Sequence, residues 1–594
     1  MKNTNTRSRK KLLLIILIPL ILIAAALAIA FSGVNTFLKP AIKNALIKII
    51  VNGSDSLYQV TLKDYVVGPG GRTVVIKDLD IEVDSSRYYA LKAAGELPPL
   101  IISLHVNKAS VTGLNAWNLY KHKKITCRTI GIDKADVVFL QQKKEEKMDS
   151  LKTHPERALY ELIQPDITFI KVEKLAINNS DIIFKTAEQQ VSNKEYWHFE
   201  KASVVMDDIV VDSLSHADTT RAWYAADIHT ELGKFYLKPA DGLYTYSISK
   251  TQYDFKKRTA TLDSFKIIPA ISNAEFNKRM GHEADQFTII LPQVQIEQFN
   301  AASFLVQNYV EATAIAISQP NIKLYKDRNA GDNLINKVGK YPQQLLLKAS
   351  PLIKIDTIKI KEGSLTVTQR SRKTKMDGSF TFRGVHGDIT NITNKPSEIA
   401  NRQWCKANLF ADFMGTNAMN ALFNFDLAST NGHFIVDASL NTLRASNINK
   451  MFRALASAEL ESFVLDKLNY HVEGYDHFAV GTLQLLYHDL KINVLKEGDD
   501  GEFEKKGLMS LLANVLKLYA ENPQPGKEER KAIGIRDVRI PSKNFFGLIC
   551  RTLLKCTQEI VVKGDDKNLP GMGGGNEKKK KKENVFQKIF KKKE

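Results

Sequence analysis

The chain has 594 residues, of which 44% are apolar and 25% charged, a balance typical of folded proteins that argues against wholesale disorder. The four cysteines are too few and too scattered for a disulfide framework, and no two of them have the spacing of a zinc site. The net charge of +19 suggests a nucleic-acid partner, but the two chain ends carry +5 and +6 of it and leave +8 for the long middle. Basic ends beside apolar segments favour a membrane surface over nucleic acid.

The N-terminus predicts a membrane anchor. Residues 1–11 form a basic arm that we expect to be cytoplasmic, and residues 12–31 (LLLIILIPLILIAAALAIAF) are uncharged over the length that a helix needs to cross a bilayer. A cleaved signal peptide is the alternative, because residues 28–30 fit a small-x-small cleavage site, but the apolar run exceeds the roughly 7–15 residues of a signal core. Since basic residues are denser before the segment than after it, we expect the body to be translocated.

Beyond the anchor, the chain predicts one helix and then a long β region. Residues 32–53 are predicted to form a membrane-proximal amphipathic helix, with Leu38, Ile42 and Leu46 on one face. Residues 54–500 are predicted to form the β body, which begins with two β runs around a Gly-Pro-Gly-Gly turn and is nearly all strand-like from about residue 100 to 440. A long β region with few helices predicts an extended sheet, a sandwich or a barrel.

One apolar pattern recurs along this β region. In DTIKIKEGSLTV, alternate apolar residues continue across one odd step of three, and a small or turn-prone residue, here Gly363, stands at the step. Three related strings hold Ala135, Ser180 and Pro320 at the step. We interpret each string as a strand, a kink and a second strand that keep one apolar face. The apolar positions, called the pattern residues below, are Ile130, Ile132, Val137, Phe139, Leu175, Ile177, Ile182, Phe184, Ile315, Ile317, Ile322, Leu324, Ile358, Ile360, Leu365 and Val367.

The C-terminal part predicts helices and a tail. SNINKMFRALASAELESFVL has helical character at its start, and GTLQLLYHDLKINVL returns to strand. Residues 501–563 are predicted to be an amphipathic helical region, with helices in GLMSLLANVLKLYAEN and in KNFFGLICRTLLKCTQEIVV. Residues 564–594 are predicted to be a disordered lysine-rich tail that either solubilises the chain or binds a membrane surface. The predicted membrane-surface residues are Lys578, Lys579, Lys580, Lys581, Lys582, Phe586 and Phe590.

The sequence holds no recognisable catalytic motif. The GxSxG, HExxH, P-loop and dinucleotide-binding patterns are absent. His488 and Asp489 are adjacent on a predicted strand, so their side chains are expected on opposite faces. We therefore expect no enzyme activity, no catalytic residues, no cofactor and no metal site, and we expect binding or transport instead.

Several stretches, in their order along the chain, resemble the AsmA-like family of Gram-negative envelope proteins, especially its forms in the Bacteroidetes. The resemblance implies an inner-membrane anchor and a periplasmic body. It also implies a long, bent β-sheet with an apolar groove along which phospholipids move toward the outer membrane. The stretches are the anchor with SDSLYQV, then GGRTVVIKDLDIEVD, ATLDSFKIIPAISNAEFNKRM, NYVEATAIAISQPNIKLYKD, VGTLQLLYHDLKINVL and RDVRIPSKNFF.

Two functions follow from these expectations. The expected fold is mainly β: an N-terminal transmembrane helix and then an elongated, bent, groove-like antiparallel sheet with a few amphipathic helices. If the groove is open, the pattern residues contact lipid tails, and the partners are the inner membrane and phospholipid, in phospholipid transport or outer-membrane assembly. If the β core is closed, the same residues pack against protein. The chain is then an anchored, non-enzymatic scaffold that binds envelope protein partners.

Overall fold

The computed structural model describes most of the chain between residues 51 and 564. The predicted arm at 1–11, the predicted transmembrane segment at 12–31, nearly all of 32–53 and the tail beyond 564 with its membrane-surface residues lie outside the described residues, as does most of GLMSLLANVLKLYAEN. No helix in the described ranges is long and apolar enough to cross a membrane. The described residues are 51, 54, 56–69, 72–97, 100–141, 167–186, 197–215, 221, 224–239, 241–301, 303–304, 308–497, 503–504 and 518–564.

The described residues form many strands and few helices, so the chain is mainly β, as predicted. The strands are β1 (Tyr58–Val67), β2 (Thr73–Val83), β3 (Leu100–Thr112), β4 (Lys124–Gln141), β5 (Phe169–Thr186), β6 (Trp197–Val211), β7 (Asp227–Leu232), β8 (Phe235–Leu237), β9 (Tyr244–Ile248), β10 (Lys250–Asp254), β11 (Thr259–Pro269), β12 (Asp285–Glu297), β13 (Tyr309–Ser318), β14 (Asn321–Asp327), β15 (Leu352–Arg370), β16 (Asp377–Thr393), β17 (Trp404–Phe413), β18 (Thr416–Asp426), β19 (Phe434–Arg444), β20 (Ala458–Gly474), β21 (Phe478–Val494), β22 (Lys496–Glu497), β23 (Phe503–Glu504) and β24 (Lys531–Val538). The helices are α1 (Ser85–Ala93), α2 (Ala116–His122), α3 (Asn273–Met280), α4 (Pro342–Leu347), α5 (Pro396–Asn401), α6 (Ala445–Ala456) and α7 (Phe545–Val561).

Of these strands, 22 belong to one mixed sheet, and β22 and β23 form a separate two-stranded ribbon. Neighbours across the sheet follow the order of the chain closely, and β24 pairs with β21 at the C-terminal end. In three places, two short strands continue one another opposite a single longer neighbour. These pairs are β7 with β8 beside β6, β10 with β9 beside β11, and β13 with β14 beside β12.

The sheet is not wholly antiparallel, which corrects the prediction. β4 pairs in parallel with β5, and β13 and β14 pair in parallel with β15, whereas the other pairs of the described sheet are antiparallel. When two consecutive strands are parallel, the connection between them must bring the chain back to the end at which the first strand began. These connections are 142–168, between β4 and β5, and 328–351, between β14 and β15. Apolar alternation is the same in both kinds of pair, so the sequence pattern could not distinguish them.

The kinks predicted from the odd steps are present, and they lie side by side. In β15 the register against β16 shifts on both sides of Gly363, and Glu362 has a left-handed φ of 53°. The break between β13 and β14, at Gln319 and Pro320, lies beside that kink. Because a kink bends a strand, aligned kinks bend the sheet along one line. Left-handed residues of this kink line are Asp78, Lys134, Asn179, Lys201, Ser264, Gln319, Glu362 and Gly384.

Two large buried apolar clusters lie at the two ends of the sheet. The first is built from β1–β6, with Leu57 and Leu91 of α1 packed against the strands. The second is built mainly from β18–β21, β24 and the helices α6 and α7. In it, the ring of Phe545 lies 4.7 Å from that of Phe434 and 5.4 Å from that of Tyr341. The strands β8–β16 contribute no residue to either cluster, so the described sheet has packed ends and a less packed centre.

Two of the predicted C-terminal helices are confirmed, the one in GLMSLLANVLKLYAEN lies mostly outside the described residues, and the prediction for the region is incomplete. α6 and α7 form where helical character was predicted, and β21 forms where the chain was predicted to return to strand. The segment 501–563 also contains β24, which joins the main sheet. Its buried Ala532 and Asp537 are separated by the kinked Gly534, so the strand lacks simple alternation and its signal is weak.

Candidate functional site

An unbroken row of apolar side chains crosses the centre of the sheet on one side of the kink line. Each member is paired directly with the next one on the neighbouring strand, and each is half-buried. Eight strands at about 4.8 Å spacing make this row about 34 Å long. The row contains no charged residue. Its members, the first apolar row, are Leu237, Tyr246, Ile267, Ile289, Ile322, Leu365, Phe382 and Phe413.

A second apolar row crosses the sheet on the other side of the kink line. A shorter apolar row runs alongside it, nearer to the kinks, and consists of Leu262, Val294, Ile317 and Ile360. Four isoleucines on adjacent strands form the middle of the second row, and all four are half-buried. The members of the second apolar row are Ala260, Ile296, Ile315, Ile358, Ile389, Ala407, Phe423 and Val436.

Both rows belong to the same face of the sheet. At the N-terminal end, Val106 and Ala109 flank the odd step of β3, and both are buried in the first cluster. Ile132 and Ala135 flank the odd step of β4, and both are also buried in the first cluster. The step of three therefore keeps one face, as predicted, where unbroken alternation would have moved the second residue to the other side. Lysines of β15 such as Lys359 are exposed on the opposite face.

The kink of β15 requires a small residue at the odd step. A Cβ added to Gly363 would lie 2.9 Å from Cγ of Pro320 and 3.3 Å from the carbonyl oxygen of Val385. In β5 the buried hydroxyl of Ser180 accepts a hydrogen bond from the backbone N–H of Ala135 (3.1 Å). The residues at the step thus pack tightly against the neighbouring strand and fix the bend.

The structure divides the pattern residues into two groups. Ile130, Ile132, Phe139 and Leu175 are almost fully buried at the N-terminal end, where neighbouring side chains already surround them, so lipid contact is not proposed for these four. Phe184 lies in β5, but its side chain is outside the described set. The half-buried pattern residues are Val137, Ile177, Ile182, Ile315, Ile317, Ile322, Leu324, Ile358, Ile360, Leu365 and Val367.

Sequence reasoning missed several members of the rows. Leu262, Phe265 and Ile267 of β11 repeat the offsets of the pattern, but the large residue Phe265 stands at the step, and the left-handed Ser264 precedes it. The aromatic members Tyr246, Phe382 and Phe413 stand in strands without an obvious odd step. Only the pairing of strands brings them into line with the isoleucines of β12 and β14.

One group with metal-ligand spacing occurs in the described part of the chain, and it lies outside the rows. Nε2 and Nδ1 of His229 lie 3.3 Å from Asp227 and 3.6 Å from Asp254. Burial raises the pKa of Asp254, but the backbone N–H and the ammonium of Lys257 lower it overall. The Lys257 ammonium, 2.9 Å from Asp254, already occupies the position of a cation, so we assign no metal site here.

No protein-family model matches the chain, and no curated protein matches it either. The functional argument therefore rests on the chemistry of the rows.

Proposed function

We propose that the protein is a membrane-anchored, non-enzymatic envelope protein whose sheet forms a lipid-binding groove. The observation that carries the proposal is the first apolar row, which is uncharged, only half-buried and about 34 Å long at the usual strand spacing. Monomeric proteins rarely expose contiguous apolar patches beyond a few hundred Å². Burying an acyl chain against such a row contributes about 0.8 kcal/mol per CH₂ group.

The aligned kinks support a groove rather than a flat sheet. A line of bends between two apolar rows folds the sheet lengthwise, so that the rows become two walls that face each other. A leaflet of a bilayer is about 15 Å of hydrocarbon, half of the usual core thickness. The first apolar row is longer than that, so a lipid tail could lie along the walls in more than one position.

The setting of the groove is part of the same proposal. The uncharged segment 12–31 and the basic arm before it support a single-pass anchor in the inner membrane, with the N-terminus cytoplasmic and the body periplasmic. The resemblance to AsmA-like proteins supports a role in phospholipid transport or outer-membrane assembly. Phospholipid and the inner membrane are the proposed partners.

Site-specific photo-crosslinking in the full chain tests the groove. A benzophenone amino acid replaces Leu365 or Ile322 of the first apolar row, and Thr366 or Lys359, whose side chains belong to the other face of β15, serve as matched controls. The chain is irradiated in native membranes, and the adducts are identified by mass spectrometry. We expect phospholipid adducts at 365 and 322 and none at the controls.

The anchored scaffold is the second candidate, and the packed clusters at both ends of the sheet favour it. In a scaffold, the crosslinker at 365 and 322 reaches only protein, either another part of the chain or a partner. Protein adducts without lipid adducts at both positions, in a chain that remains folded, would reject the groove.

A further inference from the structure

A long connection leaves the groove wall at β14 and returns at β15. Because β14 and β15 are parallel, the crossover segment 328–351 joins the far end of one to the near end of the other. It is held in place near its start. The backbone N–H of Glu283 donates to Gly331 (3.0 Å), Nδ2 of Asn333 donates to the Glu283 carbonyl (3.0 Å), and the Lys337 N–H donates to Pro541 (2.7 Å).

The turn between β15 and β16 lies against this segment. Nη2 of Arg372 lies 2.7 Å from Asp332, and its Nε donates to the Arg328 carbonyl (2.9 Å). Nζ of Lys375 donates to Oδ1 of Asn329 (2.6 Å). Residues 326–340 and 370–377 thus form one continuous surface, called the docking surface below.

The docking surface is strongly basic. It holds eight lysines and arginines against three aspartates, a net charge of +5 within these two ranges. Two of the eight pair with carboxylates outside the ranges, Lys326 with Asp285 and Arg328 with Glu283. Lys373 is exposed and has no ion pair within the described part of the chain. Such a surface complements the negative potential of anionic phospholipids.

The docking surface also carries exposed apolar side chains. Leu334 is 88% exposed, Ile335 48% and Met376 37%. Leu334 follows Asn333, which is buried and whose Oδ1 accepts the Ile335 N–H at 2.9 Å, so the backbone holds the leucine outward. Single exposed apolar residues are ordinary, but a fixed group of them among basic residues is the composition that inserts into a bilayer interface.

We propose that the docking surface binds the face of an anionic phospholipid bilayer. It adjoins the ends of β14 and β15, which carry Leu324 and Val367, so docking brings the rim of one proposed groove wall to a membrane. The inference goes beyond the groove, since the surface binds a bilayer whether or not lipid enters the groove. The net positive charge of the docking surface and the outward-held Leu334 favour this occupant over an apolar protein partner.

A local fluorescent probe tests the proposal in the full chain, because the predicted anchor and tail would dominate any measurement of total binding. The exposed Cys550 is changed to serine. A polarity-sensitive fluorophore is placed at Leu334→Cys, with Lys359→Cys on the outer face of β15 as control. The chain is reconstituted in neutral phosphatidylcholine nanodiscs, and vesicles with phosphatidylglycerol and a lipid-borne quencher are added.

We expect vesicle-dependent quenching at 334, none at 359, and none at 334 with vesicles of phosphatidylcholine alone. Each basic residue near an anionic surface contributes about fivefold to affinity. The double change Lys373→Gln with Lys375→Gln should therefore lower the affinity for vesicles, read from the quenching titration at 334, about 25-fold. The matched pair Lys359→Gln with Lys361→Gln should leave it unchanged. The proposal is overturned if the fluorophore at 334 is not quenched although the chain is folded. It is also overturned if changing Lys373 and Lys375 leaves the affinity for vesicles the same. Lipid adducts inside the groove are scored separately by the crosslinking experiment.

Discussion

Nζ of Lys543 lies 2.9 Å from Oε1 of Glu283, although the two residues are 260 positions apart in the chain. Glu283 lies two residues before β12 and is only 5% exposed, and Lys543 lies two residues before α7. Arg328 adds a second cation 3.6 Å from the same carboxylate. The ion pair therefore connects the packed C-terminal end of the sheet to the centre and holds the crossover segment between them.

Removing this charge should loosen the crossover segment. Glu283→Gln leaves Lys543 partly buried without its partner, and we expect the segment to lose about 1–3 kcal/mol of local stability. Hydrogen exchange of the amides in 331–341 measures the loss. Arg279→Gln, which breaks the exposed pair with Glu275, should change exchange little, by about 0.5 kcal/mol or less. Equal effects from both variants would contradict a special role for Glu283.

The same ion pair should make the segment sensitive to acid. Burial raises the pKa of Glu283, but the hydrogen bond and charge of Lys543 lower it overall, below the ordinary value of 4.5. A carboxylate whose pKa is depressed by folding stabilises the folded state at pH values above its pKa in the unfolded chain. That stability is lost as the pH falls through its pKa in the folded chain. Protection of 331–341 should therefore fall in acid in the native chain. In the Glu283→Gln variant the protection of 331–341 should vary less with pH. An equal pH dependence in the two proteins would show that Glu283 is not the group responsible.

The sequence predicted the kinked strands because their cause is local. An odd step in the apolar alternation, with a small residue such as Gly363 at the step, determines both the bend and the common face. The lining residues of β15 and β14 could therefore be named from the sequence. Those of β16 and β17, such as Phe382 and Phe413, could not, because only strand pairing aligns them.

Burial depended on neighbours that the pattern does not contain. Ile132 and Ile360 occupy equivalent positions in their strings, yet Ile132 is 2% exposed and Ile360 is half-buried. The difference comes from the first cluster, where residues such as Leu57 and Leu91 pack against β1–β6. Which copies of a repeated pattern are covered is a property of tertiary packing.

The kink of β15 should not accept a larger residue. In Gly363→Ala, the new Cβ meets Pro320 and the carbonyl of Val385, and we expect a loss of about 1–3 kcal/mol from overpacking. Hydrogen exchange across β13–β16 measures it. Ser364→Ala, at the next position, removes one hydroxyl from a half-buried side chain and adds no atom, so it should be nearly neutral. A neutral Gly363→Ala would show that the kink can relax and that its tight packing does not fix the bend.

Truncating a residue of the first apolar row should cost less stability than truncating a core residue. Leu483 is 0% exposed in the C-terminal cluster, and Leu483→Ala should cost about 2–5 kcal/mol. Leu365 is half-buried in the first apolar row, so Leu365→Ala removes fewer contacts and should cost about 1 kcal/mol. Hydrogen exchange in the strand that carries each residue gives the two values in lipid-free chain. If Leu365→Ala costs as much as Leu483→Ala, another part of the protein covers the row, and the closed scaffold is the better description. If the two values differ as expected and added phospholipid raises protection around Leu365 alone, the row is the surface that lipid fills.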